Sequence, residues 1–189
     1  MRRTILLFWT MAVTLLMASG AALAEDITGT EGPDDLAGTT GDDTIDGLEG
    51  GDFILGESVL FGPGGTDTLT GGPGDDELYG TGGDDEISGG SGNDEVAGTL
   101  GSDVVYGDAG DDHVDSGAPF DAFGDALYGG AGDDVMDAYQ TSGVTDIVTC
   151  GPGDDLVYTE GADTISVDCE TVVTGPSPDP WDLALLEVL

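Results

Sequence analysis

The chain has 189 residues, of which 40 are Asp or Glu and only two are Lys or Arg, so its formal net charge is −38 at pH 7. This charge excludes binding to nucleic acid or to anionic membrane surfaces, because both are bound through Lys and Arg. Such acidity together with 35 glycines is typical of disordered chains, but hydrophobic residues make up 38% and recur at regular positions. The composition therefore predicts a chain that folds once its charge is neutralised.

The first 24 residues have the features of a secretory signal. Arg2 and Arg3 form a basic start, an apolar run covers residues 5–17, and residues 22–24 (Ala-Leu-Ala) form a small-x-small cleavage site. The apolar run is too short to predict a membrane span. We expect a secreted, extracellular protein that starts at Glu25 and lacks both basic residues.

A nine-residue repeat follows, with Gly first, Asp sixth and an aliphatic residue eighth in each unit. Three units come first: GTEGPDDLA (29–37), GTTGDDTID (38–46) and GLEGGDFIL (47–55). The phase slips by six residues at 56–61, and six further units then run without a break over 62–115. Chance does not hold three constraints in phase over six units, so the repeat is a specific signal.

The eighth-place residues are predicted to form the core. In the unbroken array they are Leu69, Leu78, Ile87, Val96, Val105 and Val114. Branched aliphatic side chains suit short strands. We expect them to meet inside the fold as one narrow column.

Downstream, the register is broken twice. GGAGDDVMD (129–137) and CGPGDDLVY (150–158) are regular units, but the segments 116–128 and 138–149 hold extra residues. These two segments are predicted to form looped or bulged turns. The last units, around Asp163, Ile165 and Val172, are degenerate.

Units such as GGPGDDELY (71–79) and GGSGNDEVA (89–97) resemble the hemolysin-type calcium-binding repeat of RTX proteins, G-G-x-G-x-D-x-U-x. The resemblance implies an all-β fold, a right-handed parallel β-roll over residues 25–174. Six residues of each unit would form a turn and three a short strand, with two units in each coil.

The same resemblance implies several Ca²⁺ ions between the turns of successive coils, held by the sixth-place Asp and by backbone carbonyls of the Gly-rich turn. The implied ligands are Asp34, Asp43, Asp52, Asp67, Asp76, Asp85, Asp94, Asp103, Asp112, Asp134 and Asp155. The second-place Gly of the motif is often replaced here, for example by Thr30, Thr39, Thr81 and Thr99. Calcium is the expected partner, and an extracellular matrix or a cell surface is a further possible one.

Repulsion between the carboxylates also predicts that the chain binds calcium. Equivalent residues of successive coils would lie about 4.8 Å apart, where two like charges repel by about 1 kcal/mol in water and about 3 kcal/mol at an effective dielectric constant of 20. Summed over two columns of carboxylates, this repulsion rivals the whole stability of a domain. Calcium takes six to eight oxygen ligands and reverses the repulsion, whereas zinc and copper favour His and Cys, and the chain has one His.

The remaining features concern the C-terminal part. Cys150 and Cys169 are an even pair in a chain expected to be secreted, which favours a disulfide over free thiols or a metal pair. Residues 175–189 are predicted to form a Pro-rich linker and a short helical tail, with Asp179 as the helix cap and Pro180 in the first turn. The tail is either a terminal cap or a docking peptide.

Two other functions are alternatives to calcium binding. A solenoid that binds ice or another regular surface needs a uniform outward row, but the seventh-place residues of one face are Thr68, Glu86 and Val104. An enzyme that cleaves glycans with paired carboxylates is compatible with the composition, but every acid has a better explanation as a metal ligand or a solvated residue. We therefore expect a calcium-binding protein without catalytic activity.

Overall fold

The computed structural model describes residues 24–58, 64–118, 120–141 and 143–176, and the expected signal (1–23) and most of the expected tail (177–189) lie outside them. Sixteen short strands follow one another along these residues. They are β1 (Asp26–Thr28), β2 (Asp35–Ala37), β3 (Thr44–Asp46), β4 (Phe53–Leu55), β5 (Thr68–Pro73), β6 (Glu77–Tyr79), β7 (Glu86–Ser91), β8 (Glu95–Thr99), β9 (Val104–Ala109), β10 (His113–Gly117), β11 (Ala126–Ala131), β12 (Val135–Ala138), β13 (Ile147–Thr149), β14 (Leu156–Thr159), β15 (Thr164–Ile165) and β16 (Thr171–Thr174).

The strands lie in two parallel sheets of eight. One sheet contains the odd-numbered strands in the order β1 to β15, and the other contains the even-numbered strands from β2 to β16. The chain therefore alternates between the sheets and advances by one coil for every two strands, which is the predicted β-roll. Along the part of the chain that the structure describes, no helix is long and apolar enough to cross a membrane.

The eighth-place residues form the core, as predicted. All six of the unbroken array are fully buried, and Ile45, Ile54, Leu127, Met136 and Val157 extend the column at both ends. In the odd sheet, Leu69 lies opposite Ile87, and Ile87 lies opposite Val105. Each coil thus adds one aliphatic side chain from each sheet.

Four strands have twice the expected three residues. β5, β7, β9 and β11 each have six residues, because pairing continues through the second and third places of the next unit. Gly72 lies opposite Gly90 in this extension, with φ of 114° and 112°. Glycine reaches this left-handed region without strain, so the backbone can turn there and stay hydrogen-bonded to the next coil.

The turns lie along two edges, and the inserted residues all fall on one of them, whereas the turn from β15 to β16 on the other edge is shortened. We call the turns that lead into even-numbered strands the regular edge, and those that lead into β3 to β15 the varied edge. The coil length read from strand pairing is 18 residues in the regular array, 24 at Thr44–Thr68, 22 at Val104–Ala126 and 21 at Ala126–Ile147. The slip at 56–61 and both looped segments account for these longer coils, and all three are turns of the varied edge.

The C-terminal coils are shorter and are closed covalently. Pairing steps fall to 17 residues from β13 to β15 and to 15 from β14 to β16. The predicted disulfide between Cys150 and Cys169 is present, with the two Cα atoms 5.2 Å apart. It connects the start of a regular-edge turn with the segment before β16.

Candidate metal sites along the two edges

The sixth-place carboxylates form a hydrogen-bonded column along each edge. From Asp34 to Asp146 the backbone N–H of the sixth-place Asp donates to Oδ1 of the sixth-place Asp in the next coil, and at the C-terminal end Asp155 donates to Oε2 of Glu170 instead. On the varied edge Asp67 donates to Asp85 over 2.8 Å and Asp85 to Asp103 over 2.9 Å, and on the regular edge Asp76 donates to Asp94 over 2.8 Å. The two columns expected for a coil of two units are therefore present, and one oxygen of each of these carboxylates already has a hydrogen-bond donor.

The second carboxylate oxygen, Oδ2, has no hydrogen-bond donor in most of these residues. Ten sixth-place Asp side chains have an Oδ2 atom that is buried and has no hydrogen-bond partner among the residues described; they are Asp52, Asp67, Asp76, Asp85, Asp94, Asp103, Asp112, Asp134, Asp146 and Asp155. An unpaired buried carboxylate oxygen is costly, because its hydration is lost without replacement. A repeated cost of this kind indicates a ligand that is itself positive.

The first-place glycines show where that oxygen faces. A Cβ atom on Gly80 would lie 2.5 Å from Oδ2 of Asp85 and 2.7 Å from the carbonyl oxygen of Gly98 in the next coil. On Gly89 it would lie 2.6 Å from Oδ2 of Asp94 and 2.9 Å from the carbonyl oxygen of Gly107. A carboxylate and a carbonyl oxygen thus face the same small space on both edges, and only glycine leaves it open.

Burial raises the pKa of these carboxyl groups, and the carboxylates of neighbouring coils raise it further. The pKa rises to about 8 for Asp85, about 7 for Asp94 and Asp103, and about 6 for Asp67 and Asp134. The backbone N–H donor lowers each pKa but does not offset the lost hydration. No Lys or Arg occurs among the described residues to compensate these charges.

Two predicted ligands, Asp34 and Asp43, are arranged differently. Oδ2 of Asp43 accepts hydrogen bonds from the backbone N–H of Thr39 at 2.5 Å and from its hydroxyl at 3.1 Å. Oδ2 of Asp34 accepts the same pair of bonds from Thr30, at 2.5 and 3.0 Å. In these two turns the protein itself supplies the donors that the ten turns with an unpaired Oδ2 lack.

Sequence reasoning missed two members of the varied-edge column and placed a third, Asp163, in a degenerate unit without naming it as a ligand. Asp125, Asp146 and Asp163 continue it, since Asp103 donates to Asp125, Asp125 to Asp146, and Asp146 to Asp163. The extra residues before Asp125 and Asp146 hide the nine-residue period. The signal that remains in the sequence is an Asp followed two residues later by an aliphatic residue, as in Asp125-Ala-Leu and Asp146-Ile-Val.

The irregular turns also bury carboxylates and an amide that the motif does not contain. Gln140 donates from Nε2 to Oδ2 of Asp125 over 3.1 Å, so that oxygen is paired. Oδ2 of Asp121 accepts the N–H of Gly101 at 3.3 Å, and Oε1 of Glu57 accepts that of Gly65 at 2.8 Å. Gly65 and Gly101 are the fourth residues of their units. In units without inserted residues, a backbone carbonyl of the next coil accepts the N–H of the fourth residue, as Leu100 does from Gly83.

A second, exposed row of acids follows the regular edge on the outside. Asn93 donates its backbone N–H to Asp75, Asp111 donates to Asn93, and Asp133 donates to Asp111, over 2.8, 3.1 and 3.0 Å. These fifth-place side chains and the seventh-place Glu77 and Glu95 line an acidic groove of about 530 Å³. The negative potential of the regular edge therefore extends from the buried column to the surface.

The donor set fits a hard cation with oxygen ligands. Across the described ranges, no three His, Cys, Asp or Glu side chains converge on a single point. A metal ion would therefore need backbone carbonyl oxygens besides one or two carboxylates, which is a ligand set that calcium accepts and zinc does not. Magnesium, which requires a smaller octahedral cage, fits less well.

A comparison with protein families supports the same assignment. Four copies of the family model for the RTX calcium-binding nonapeptide repeat match residues 28–58, 61–96, 88–118 and 121–140, which is more than half of the chain. The matches end before the C-terminal coils that the disulfide closes. No curated protein matches the chain.

Proposed function

The chain belongs to the family of RTX calcium-binding nonapeptide repeats, and on this premise we propose that it is an extracellular structural or adhesion module that folds when it binds several Ca²⁺ ions. The unpaired, buried Oδ2 atoms support the proposal most directly. Their desolvation penalty recurs in nearly every coil, and the described residues contain no positive side chain that could offset it.

The proposed ligands are the sixth-place Asp side chains predicted from the sequence, together with carbonyl oxygens of the glycine-rich turns. Bound calcium would supply positive charge between successive turns and so replace the repulsion within each column by attraction. The chain itself holds each carboxylate in place through its Oδ1 hydrogen bond and keeps the space beside Oδ2 open with glycine. At ten times its Kd, each ion would add about 1.4 kcal/mol to folding.

Secretion completes the proposal. The signal-like segment 1–24 and the disulfide both fit an oxidising, calcium-rich compartment. Millimolar calcium outside the cell suits repeated sites of modest affinity. A rigid acidic rod with no catalytic role would then spread calcium-dependent contacts over a matrix or a cell surface, with residues 25–174 as the roll and 175–189 as the linker and tail.

A calcium titration tests this function. The chain from Glu25 is freed of metal, and its far-UV circular dichroism is followed while calcium is added; the bound ions are then counted by equilibrium dialysis and atomic absorption. We expect a cooperative gain of β structure at millimolar or lower calcium, with several ions bound per chain. Magnesium at the same concentration is the control and should produce much less structure.

A spectrum that does not change with calcium would overturn the proposal. A chain that needs no calcium to fold and whose surface instead alters ice growth would favour the surface-binding alternative. Turnover of a glycan that is lost in an Asp→Asn variant that remains folded would favour the enzyme.

A further inference from the structure

Resting on the proposed calcium function, we infer that threonine closes the calcium columns at their ends: Thr30, Thr39 and Thr159 occupy Oδ2 of Asp34, Asp43 and Asp163, and these three terminal turns take no ion. The ions are held only by turns with an unpaired Oδ2. The predicted ligand set thereby loses Asp34 and Asp43.

The three turns share one local arrangement. In each, a Thr four residues before the sixth-place Asp points its hydroxyl at Oδ2 of that Asp. In the two N-terminal turns the backbone N–H of the Thr donates to the same oxygen over 2.5 Å. Oδ1 of Asp43 and of Asp163 is also paired, with the N–H groups of Glu25 and Asp146. These carboxylates have donors where a cation would otherwise be needed.

Two interior threonines with the same sequence spacing behave differently. Thr81 and Thr99 also stand four residues before a sixth-place Asp, but their φ angles are 78° and 89°. The hydroxyl of Thr99 accepts the N–H of Thr81, and that of Thr81 accepts the N–H of Glu57. Oδ2 of Asp85 and of Asp103 therefore remains unpaired. The backbone of the turn, and not the presence of Thr, determines whether Oδ2 is closed.

Position in the roll explains the difference. The turns of Asp34 and Asp43 are the first described ones on the two edges, and that of Asp163 is the last on the varied edge. An ion between coils draws its oxygens from two stacked turns. Each of these three turns has a complete described turn stacked on one side only, so donors from its own threonine take the place of ligands from a second stacked turn.

Ion counts of four single variants test the inference. Asp43→Asn and Asp85→Asn change equivalent residues of the varied edge, and Asp34→Asn and Asp52→Asn do so on the regular edge. Each variant of the chain from Glu25 is saturated with calcium, its circular dichroism is checked, and its bound calcium is counted by equilibrium dialysis. We expect Asp34→Asn and Asp43→Asn to bind as many ions as the unchanged chain, whereas Asp52→Asn and Asp85→Asn lose one or two.

The terminal variants alone decide the inference. Loss of an ion by Asp34→Asn or Asp43→Asn, or failure of either to fold at millimolar calcium, overturns it, even if the interior variants fold poorly. The calcium function would still stand in that case, because the unchanged chain would bind its ions. If the unchanged chain binds no calcium, the proposed function itself fails.

Discussion

The two edges of the roll are built from the same repeat but differ in how strictly they keep it. Every turn of the regular edge from Asp52 to Asp155 leaves Oδ2 unpaired. The varied edge contains both unpaired Oδ2 atoms, as in Asp85, and Oδ2 atoms that accept a hydrogen bond from the protein, as in Asp43 and Asp125. Insertions and buried extra acids such as Asp121 occur on the varied edge alone. The coils therefore stay in register along the edge with uniform turns, while the other edge accommodates insertions.

The largest expected effect is that of pH on the metal-free protein, since it acts on both edges together. Burial raises the pKa of Asp85 to about 8 and that of Asp94 to about 7, while in the unfolded chain both stay near 4. The folded state therefore binds more protons, so its stability is fully present below about pH 4 and is lost as pH rises toward 8. Circular dichroism of the metal-free chain should show β structure appearing on acidification.

With calcium bound, the stability of the protein should instead fall as the pH is lowered. Protons compete with calcium for the same oxygens, so ions are released and stability falls as the solution is acidified. If the metal-free chain loses structure on acidification, the desolvated carboxylates do not control its folding.

The next largest effect is the loss of stability when a glycine of an interior turn is replaced. We expect this loss to be equal on the two edges. Gly83 on the varied edge and Gly92 on the regular edge have φ of 124° and 135°, and a Cβ on either would overlap a carbonyl oxygen of the preceding coil. Replacing either with Ala should cost about 3 to 5 kcal/mol at saturating calcium. Gly32 of the first turn is the matched control, because its Cβ would meet nothing within 4 Å. Urea unfolding of the three variants measures the costs, and a cost for Gly32→Ala equal to that for Gly83→Ala would contradict this account.

The third largest expected effect is the loss of stability when the disulfide is removed. The Cys150→Ser, Cys169→Ser variant should lose about 3 kcal/mol on the chain-entropy estimate for a loop of this length. The loss should be similar at low and at saturating calcium, because the disulfide restricts the unfolded chain whether or not ions are bound. Thermal unfolding at two calcium concentrations measures it. A loss confined to one concentration would show that the disulfide acts through a metal site.

The smallest effect distinguishes the edges directly. Asp94→Asn on the regular edge should lower stability at millimolar calcium by about 1 to 3 kcal/mol, because a metal ligand is lost. Without metal the same change should favour folding, since it removes a buried charge. Asp125→Asn on the varied edge should leave the calcium midpoint unchanged, because Gln140 already occupies the second oxygen of Asp125. Equal midpoint shifts in the two variants would show that the edges bind calcium alike.

Much of the fold was predictable from the sequence, and the reason is its period. A nine-residue repeat picks out the inward-facing side chains from Leu69 to Val114, and the resemblance to RTX repeats, with two units in each coil, then implied both Asp columns. Asp125 and Asp146 were missed because inserted residues break the count. The threonine caps could not be predicted either: Thr39 and Thr99 have the same spacing to Asp, and only the sign of φ and the position in the roll separate them.

Small-angle X-ray scattering of the chain from Glu25, with calcium and after exhaustive chelation, tests the central claim most directly. With calcium we expect the scattering of a narrow, folded rod. Without it we expect an expanded chain whose radius of gyration approaches about 40 Å, the value for an unfolded polypeptide of this length. An identical folded rod in both conditions would show that the buried carboxylates need no cation, and would contradict the account.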